Sequence, residues 1–160
     1  MTEADPTIEP GGVHLVPMTE AHLDLVMPHE LQMFGTEAWS RAGYLEELSD
    51  REHRRYLAAE GIDGELLGWA GVQVVADTAQ ILTVGTVPQA RRRGVGRLLV
   101  DALLAIARDE RVVDVFLEVR EDNAEARRLY ERVGFGPTRI RRGYYDGGRV
   151  DAQEMRLRLC

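Results

Sequence analysis

The 160-residue chain contains no lysine: all 20 of its basic residues are arginine. That excludes a lysine Schiff base with pyridoxal phosphate, and it excludes the lysine that a nucleotide-triphosphate loop requires. Cysteine occurs once, at Cys160, so no disulfide forms within the chain and a cytoplasmic address is expected. No run of about 18 apolar residues is present, so no membrane span is predicted. The polar, acidic start Met1–Glu9 lacks the basic flank and apolar stretch of a signal peptide. His14, His22, His29 and His53 lack the spacing of metal ligands, and no metal is expected.

What is present suits one core. A chain of this length with 44% hydrophobic residues reads as one domain, residues 12–160, behind a loose N-terminal tail over residues 1–11. The net charge of −7 is unevenly spread: residues 1–80 hold 4 Arg against 15 Asp and Glu, residues 81–160 hold 16 Arg against 12. An acidic half suits a cationic partner and a basic half a polyanionic ligand, unless both are solvated surface. The overall acidity argues against nucleic acid as a partner.

Hydrophobic periodicity and capping residues give the element order β, α, α, three β, α, β, α, β, β. Thr19 and Ser40 read as caps of the first two helices, the second running Arg41–Leu48. Arg54–Glu60, Glu65–Val75 and Ala79–Val87 read as strands, the second bent at Gly68 or Gly71. Over Gly94–Arg108, Val95, Leu98, Leu99, Ala102, Leu103 and Ile106 make one helical stripe. Val112–Val119 is nearly apolar on both faces, so it reads as a central strand. Asp122 or Asn123 starts the last helix, Gly134 ends it, and a hairpin turning at Asp146–Gly148 closes the chain. This order predicts an α/β (α+β) domain with a mixed sheet and helices on both faces.

Val84 to Arg97 is the most informative segment. A strand end, a polar turn and a helix start follow one another, with Gly94 and Gly96 flanked by Arg91, Arg92, Arg93 and Arg97. Unpaired N–H groups at a helix N-terminus, approachable over glycine and reinforced by guanidinium groups, suit a pyrophosphate. A solvated arginine cluster is the plainer alternative. A dinucleotide fingerprint fits poorly, since only two glycines are in register and the strand is not the first of the domain.

Arg91-Arg92-Arg93-Gly94-Val95-Gly96 is similar to the anion loop of the GNAT superfamily of N-acetyltransferases. Asn123-Ala124-Glu125-Ala126-Arg127-Arg128-Leu129-Tyr130, continuing to Gly134-Phe135, matches that family's later motif at the right distance. The resemblance covers nearly the whole chain. Leu117-Glu118-Val119-Arg120, the stretch Ile140–Tyr145 with Asp151-Ala152, and Phe34 with Trp39-Ser40 resemble the branch that acetylates the N-terminal alanine of a ribosomal protein.

The resemblance implies a GNAT fold: a mostly antiparallel sheet of about seven strands, splayed at its centre. It implies acetyl-coenzyme A as co-substrate, with the pantetheine arm held by the backbone of Val84, Gly85 and Thr86. Arg92, Arg93, Gly94, Val95, Gly96 and Arg97 would take the pyrophosphate, and Asn123 would touch the arm near the thioester. It also implies Glu118 as base, through water, and Tyr130 as the acid beside the sulfur. The residues alone leave other readings open. Glu118 interrupts an apolar strand, where a carboxyl pKa tends upward, yet it also suits an ion pair with a neighbour such as Arg120. Tyr130 also suits a core tyrosine, whose phenol is a poor acid for a thiol. Trp39, Tyr144 and Tyr145 either line an acceptor groove or pack internally. The expected acceptor is a protein N-terminal peptide, from a ribosomal protein. A small amine (polyamine, amino acid or aminoglycoside), or a non-catalytic coenzyme-binding module, are the alternatives.

Overall fold

The computed structural model describes Thr7–Glu9 and residues 12–159. Residues 1–6, 10, 11 and 160 lie outside the described part, and with them Cys160, the cysteine that from sequence has no partner within the chain. The elements are β1 (Thr7–Glu9), β2 (Val13–Pro17), α1 (Glu20–Phe34), α2 (Arg41–Ser49), β3 (Arg54–Glu60), β4 (Leu66–Val75), β5 (Thr78–Thr86), α3 (Val95–Asp109), β6 (Asp114–Arg120), α4 (Ala124–Val133), β7 (Gly136–Tyr145) and β8 (Val150–Arg158). One stretch departs from the expected tail: Thr7–Glu9 pairs antiparallel with Val13–Leu15 and adds an eighth strand to the seven read from sequence. Three residues are too few for an alternation to be visible, so only the pairing reveals the strand.

The eight strands form one sheet in the order β1-β2-β3-β4-β5-β6-β8-β7. Every neighbouring pair is antiparallel except β5 and β6. That parallel pair is short. Thr78, Ala79 and Gln80 register with Asp114, Val115 and Phe116, and no pairing follows. Beyond it the two strands part, leaving the β6-facing backbone edge of Ile81–Thr86 without a strand partner among the described residues. The bend expected in β4 is a register shift between Gly71 and Val72.

The helices cover both faces. Val95, Leu99, Leu103 and Ala107 of α3 are buried, as a 3.6-residue stripe requires, and α3 lies on the face of β4 that carries Gly68. On the other face, Trp69 meets Phe34 of α1 edge-on and hydrogen-bonds Tyr44 of α2. Strand β6 is not apolar on both faces as its composition suggested. Val115, Leu117 and Val119 enter the core, whereas Phe116, Glu118 and Arg120 face the other way and are half-buried. No described helix is long and apolar enough to cross a membrane.

Candidate active site

The parting of β5 from β6 divides most of the predicted residues into two groups, one on each side. On the β5 side, Gly85 is buried and its backbone lies against the indole of Trp69. A Cβ at position 85 would stand 2.8 Å from the ring, so only glycine lets strand and ring approach this closely. Val84 and Thr86 flank it, half-buried.

At the end of β5 the chain turns through Pro88–Ala90 and enters α3. Gly94 is the N-cap in the left-handed region (φ 78°, ψ 12°), and no atom stands near the place a Cβ would occupy. Arg92 is left-handed too (φ 65°). This winding leads Arg91, Arg92 and Arg93 across an exposed surface beside the first N–H groups of α3, which have no intrahelical partners. Val95 points its side chain into the core, so its amide alone can serve a ligand. Arg97 is engaged by Asp101, with Nε 3.1 Å from both carboxylate oxygens. Gly96 sits close to Leu129 and Thr86, joining the helix start to α4 and the strand end. A phosphorylated carrier fits these features: exposed cations, unpaired amides and a backbone clear of Cβ.

On the β6 side, Glu118 projects from the face opposite the core. Its carboxylate is ion-paired with Arg141 of β7 (Nε–Oε1 2.7 Å), not with Arg120, and its side chain is only 10% exposed. Tyr144 hydrogen-bonds Glu118, and this bond holds the Tyr144 phenol above its ordinary pKa. The Arg141 guanidinium carbon lies 5.9 Å from the Tyr144 ring centroid, and Tyr144 meets Tyr145 edge-on at 4.9 Å. Tyr130, buried on the inner face of α4, stacks edge-on against Phe135. Burial pushes its phenol up to about 12, with a smaller contribution from nearby Tyr145. Tyr145 is likewise raised to about 12 by burial and by Tyr144, Glu118 and Glu37.

The structure therefore gathers Glu118, Tyr130, Tyr144 and Tyr145. Trp39 is not brought to these tyrosines. Its ring packs on Tyr44 (5.0 Å) and Tyr56 (6.5 Å) and lines a separate cavity with Gly43 and Glu46. Asn123 caps α4, its Oδ1 accepting from the Ala126 amide at 3.1 Å, so that oxygen is committed to the helix.

Several residues at this opening carried no assigned role in the sequence. Arg120 bonds Asp122 and reaches Asp146 in the β7–β8 turn at 2.8 Å, and its guanidinium carbon lies 5.5 Å from the Tyr145 ring centroid. The Asp146 amide donates to Glu37 of the turn after α1 at 2.9 Å. That turn and the hairpin tip thus meet beside Tyr144 and Tyr145. Among the described residues, no group of three or more His, Cys, Asp or Glu side chains is placed to hold a metal.

The acetyltransferase (GNAT) family's sequence profile matches residues 23–135, and the chain belongs to that family. It is an acetyl-coenzyme A-dependent N-acetyltransferase. Over 155 residues it is 35% identical to the N-alpha-acetyltransferase RimI of Mycobacterium tuberculosis, covering 94% of this chain and 95% of that one. It is 36% identical over 107 residues to the ribosomal protein bS18-alanine N-acetyltransferase of Salmonella typhimurium, covering 67% and 70%. The crystal structure of the ribosomal-protein-S18-alanine N-acetyltransferase from Escherichia coli superposes with a TM-score of 0.81 at 30% identity, over 92% of this chain and 94% of that one.

Proposed function

We propose that the chain moves the acetyl group of acetyl-coenzyme A onto the α-amino group of a protein N-terminus, and that the acceptor is the N-terminal alanine of the small-subunit ribosomal protein bS18. The acetylation takes place in the cytoplasm. The observation that carries this reading is the similarity to a named N-alpha-acetyltransferase over 94% of the chain. The meeting of Glu37 and the Asp146 amide over the site supports it, because a roofed approach suits a chain end better than a bulky amine.

The residues divide the work. The first amides of α3 with Arg92 and Arg93 take the pyrophosphate, and the unpaired edge of β5 from Val84 to Thr86 holds the arm. Asn123 contacts the arm by its amide nitrogen. When bound, the coenzyme supplies the activated acetyl group. Glu118 receives the proton that the acceptor ammonium must lose, through water. A main-chain N–H near Val84 donates to the oxygen that gains charge. Tyr130, protonated throughout the working pH range, donates a hydrogen bond toward the departing sulfur. Tyr144 and Tyr145 flank the amine.

Labelled acetyl-coenzyme A, offered with peptides of the bS18 N-terminus and with polyamines, amino acids and aminoglycosides, tests the reading. Label on the alanine peptide and not on the small amines is expected. Label confined to a small amine would overturn the acceptor assignment.

A further inference from the structure

Glu30 of α1 is the one charged side chain fully buried in the core among the described residues, at 1% exposure. A carboxylate there is costly unless hydrogen-bonded, and an apolar side chain of similar size often packs as well or better. Its bonds run in two directions. Oε1 accepts from the Trp39 amide at 3.1 Å, at the end of the turn that carries Thr36 and Glu37 to the hairpin tip. Oε2 accepts from the Tyr44 hydroxyl at 3.0 Å, and Tyr44 Oη accepts from the Trp69 indole N–H at 3.0 Å. The Trp69 ring in turn lies flush against Gly85 of β5. Tyr44 and Trp69 are both fully buried, so none of these groups has water as an alternative partner.

We propose that Glu30 is a positioning residue. Through the Trp39 amide on one side, and through Tyr44 and Trp69 on the other, it sets the acceptor-side turn at a fixed distance from the strand that holds the coenzyme arm. This rests on the assignment of β5 to the arm and of the Glu37–Asp146 contact to the acceptor approach. Burial is the larger influence and leaves the Glu30 carboxyl raised, and the Trp39 amide and Tyr44 hydroxyl, pulling the other way, are the groups that favour its charged form.

Glu30→Gln and Tyr44→Phe keep the shape of the core and weaken or break the relay. Coenzyme affinity is measured by calorimetry, and kcat and acceptor KM with a peptide beginning in alanine. The acceptor KM rises about tenfold in each variant, while the coenzyme Kd stays within about twofold of wild type. Glu30→Gln, which keeps an oxygen for the Trp39 amide, is milder than Glu30→Ala. A purely structural role predicts a lower melting temperature and active fraction with KM unmoved. An acceptor KM unchanged in Glu30→Gln and Tyr44→Phe, or equal losses for acceptor and coenzyme, overturns the proposal. If either variant fails to fold, the other decides. Should the wild-type protein acetylate only small amines, the same comparison is made with that amine. That outcome overturns the peptide assignment, and the KM shift still decides the role of Glu30.

Discussion

Arg141 holds Glu118: Nε and Oε1 are 2.7 Å apart, from strands β7 and β6 with β8 between them. With Glu118 as the proposed base, an incoming ammonium would meet a carboxylate already ion-paired with a guanidinium. Glu118→Gln lowers kcat by roughly 10²-fold or more, the usual worth of a general base, and leaves coenzyme Kd unchanged. Arg141→Gln loosens the same carboxylate and gives a smaller loss of kcat. Steady-state kinetics beside calorimetry check both, and an unchanged kcat in Glu118→Gln removes it from the chemistry.

Tyr130→Phe deletes one hydroxyl and keeps the stack on Phe135. A lost hydrogen bond to a departing thiolate is worth about 1.5–3 kcal/mol, or roughly 10- to 100-fold in kcat. Coenzyme affinity changes little. Equal turnover by the two proteins would return Tyr130 to the core alone.

Arg92→Ala and Arg93→Ala each raise coenzyme Kd, by about 3- to 10-fold at low salt, because both guanidinium groups are exposed and screened. The effect shrinks as salt is added, and kcat at saturating coenzyme is preserved. Calorimetric titration at two ionic strengths reads both. A Kd indifferent to both substitutions would place the pyrophosphate elsewhere.

Gly85→Ala drives a methyl group to within 2.8 Å of the buried Trp69 ring. Overpacking of this kind costs about 1–3 kcal/mol and lowers the melting temperature by several degrees. Thermal unfolding measures it. A melting point equal to wild type would mean that strand and indole yield without strain.

The pH dependence has a definite sign. All five tyrosines have phenols raised in the folded chain, Tyr130 and Tyr145 to about 12. Unfolded phenols lose their protons near 10, so the unfolded state binds fewer protons between about 10 and 12. Stability is therefore intact below about pH 10 and falls as pH rises toward 12. Melting curves between pH 9 and 11 should drop, and the drop should be smaller in Tyr130→Phe.

Local signals were legible in the sequence and long-range pairings were not. The stripe from Val95 to Leu103 specifies α3, Ser40 caps α2 by accepting from the Gly43 amide, and Gly94 marks the left-handed turn that starts α3. The β6 faces were misjudged because Phe116 is apolar yet lies on the same side as Glu118, and composition hides which side is packed. Trp39 was grouped with Tyr144 and Tyr145 by residue type, although its ring belongs to the Tyr44–Tyr56 cluster. The ion pair of Glu118 with Arg141 and the bonds of Arg120 to Asp146 and of the Asp146 amide to Glu37 join residues far apart in the chain. With so many arginines and acids available, nothing local selects those partners.

Since β5 and β6 share only three residue pairs, the sheet is two plates, five strands and three, riveted at one end. Anything that bonds to both free edges works as a strut between them. With the arm placed between those edges as proposed, the coenzyme is part of the scaffold as well as a reactant, and the melting temperature should climb with its concentration as mass action dictates.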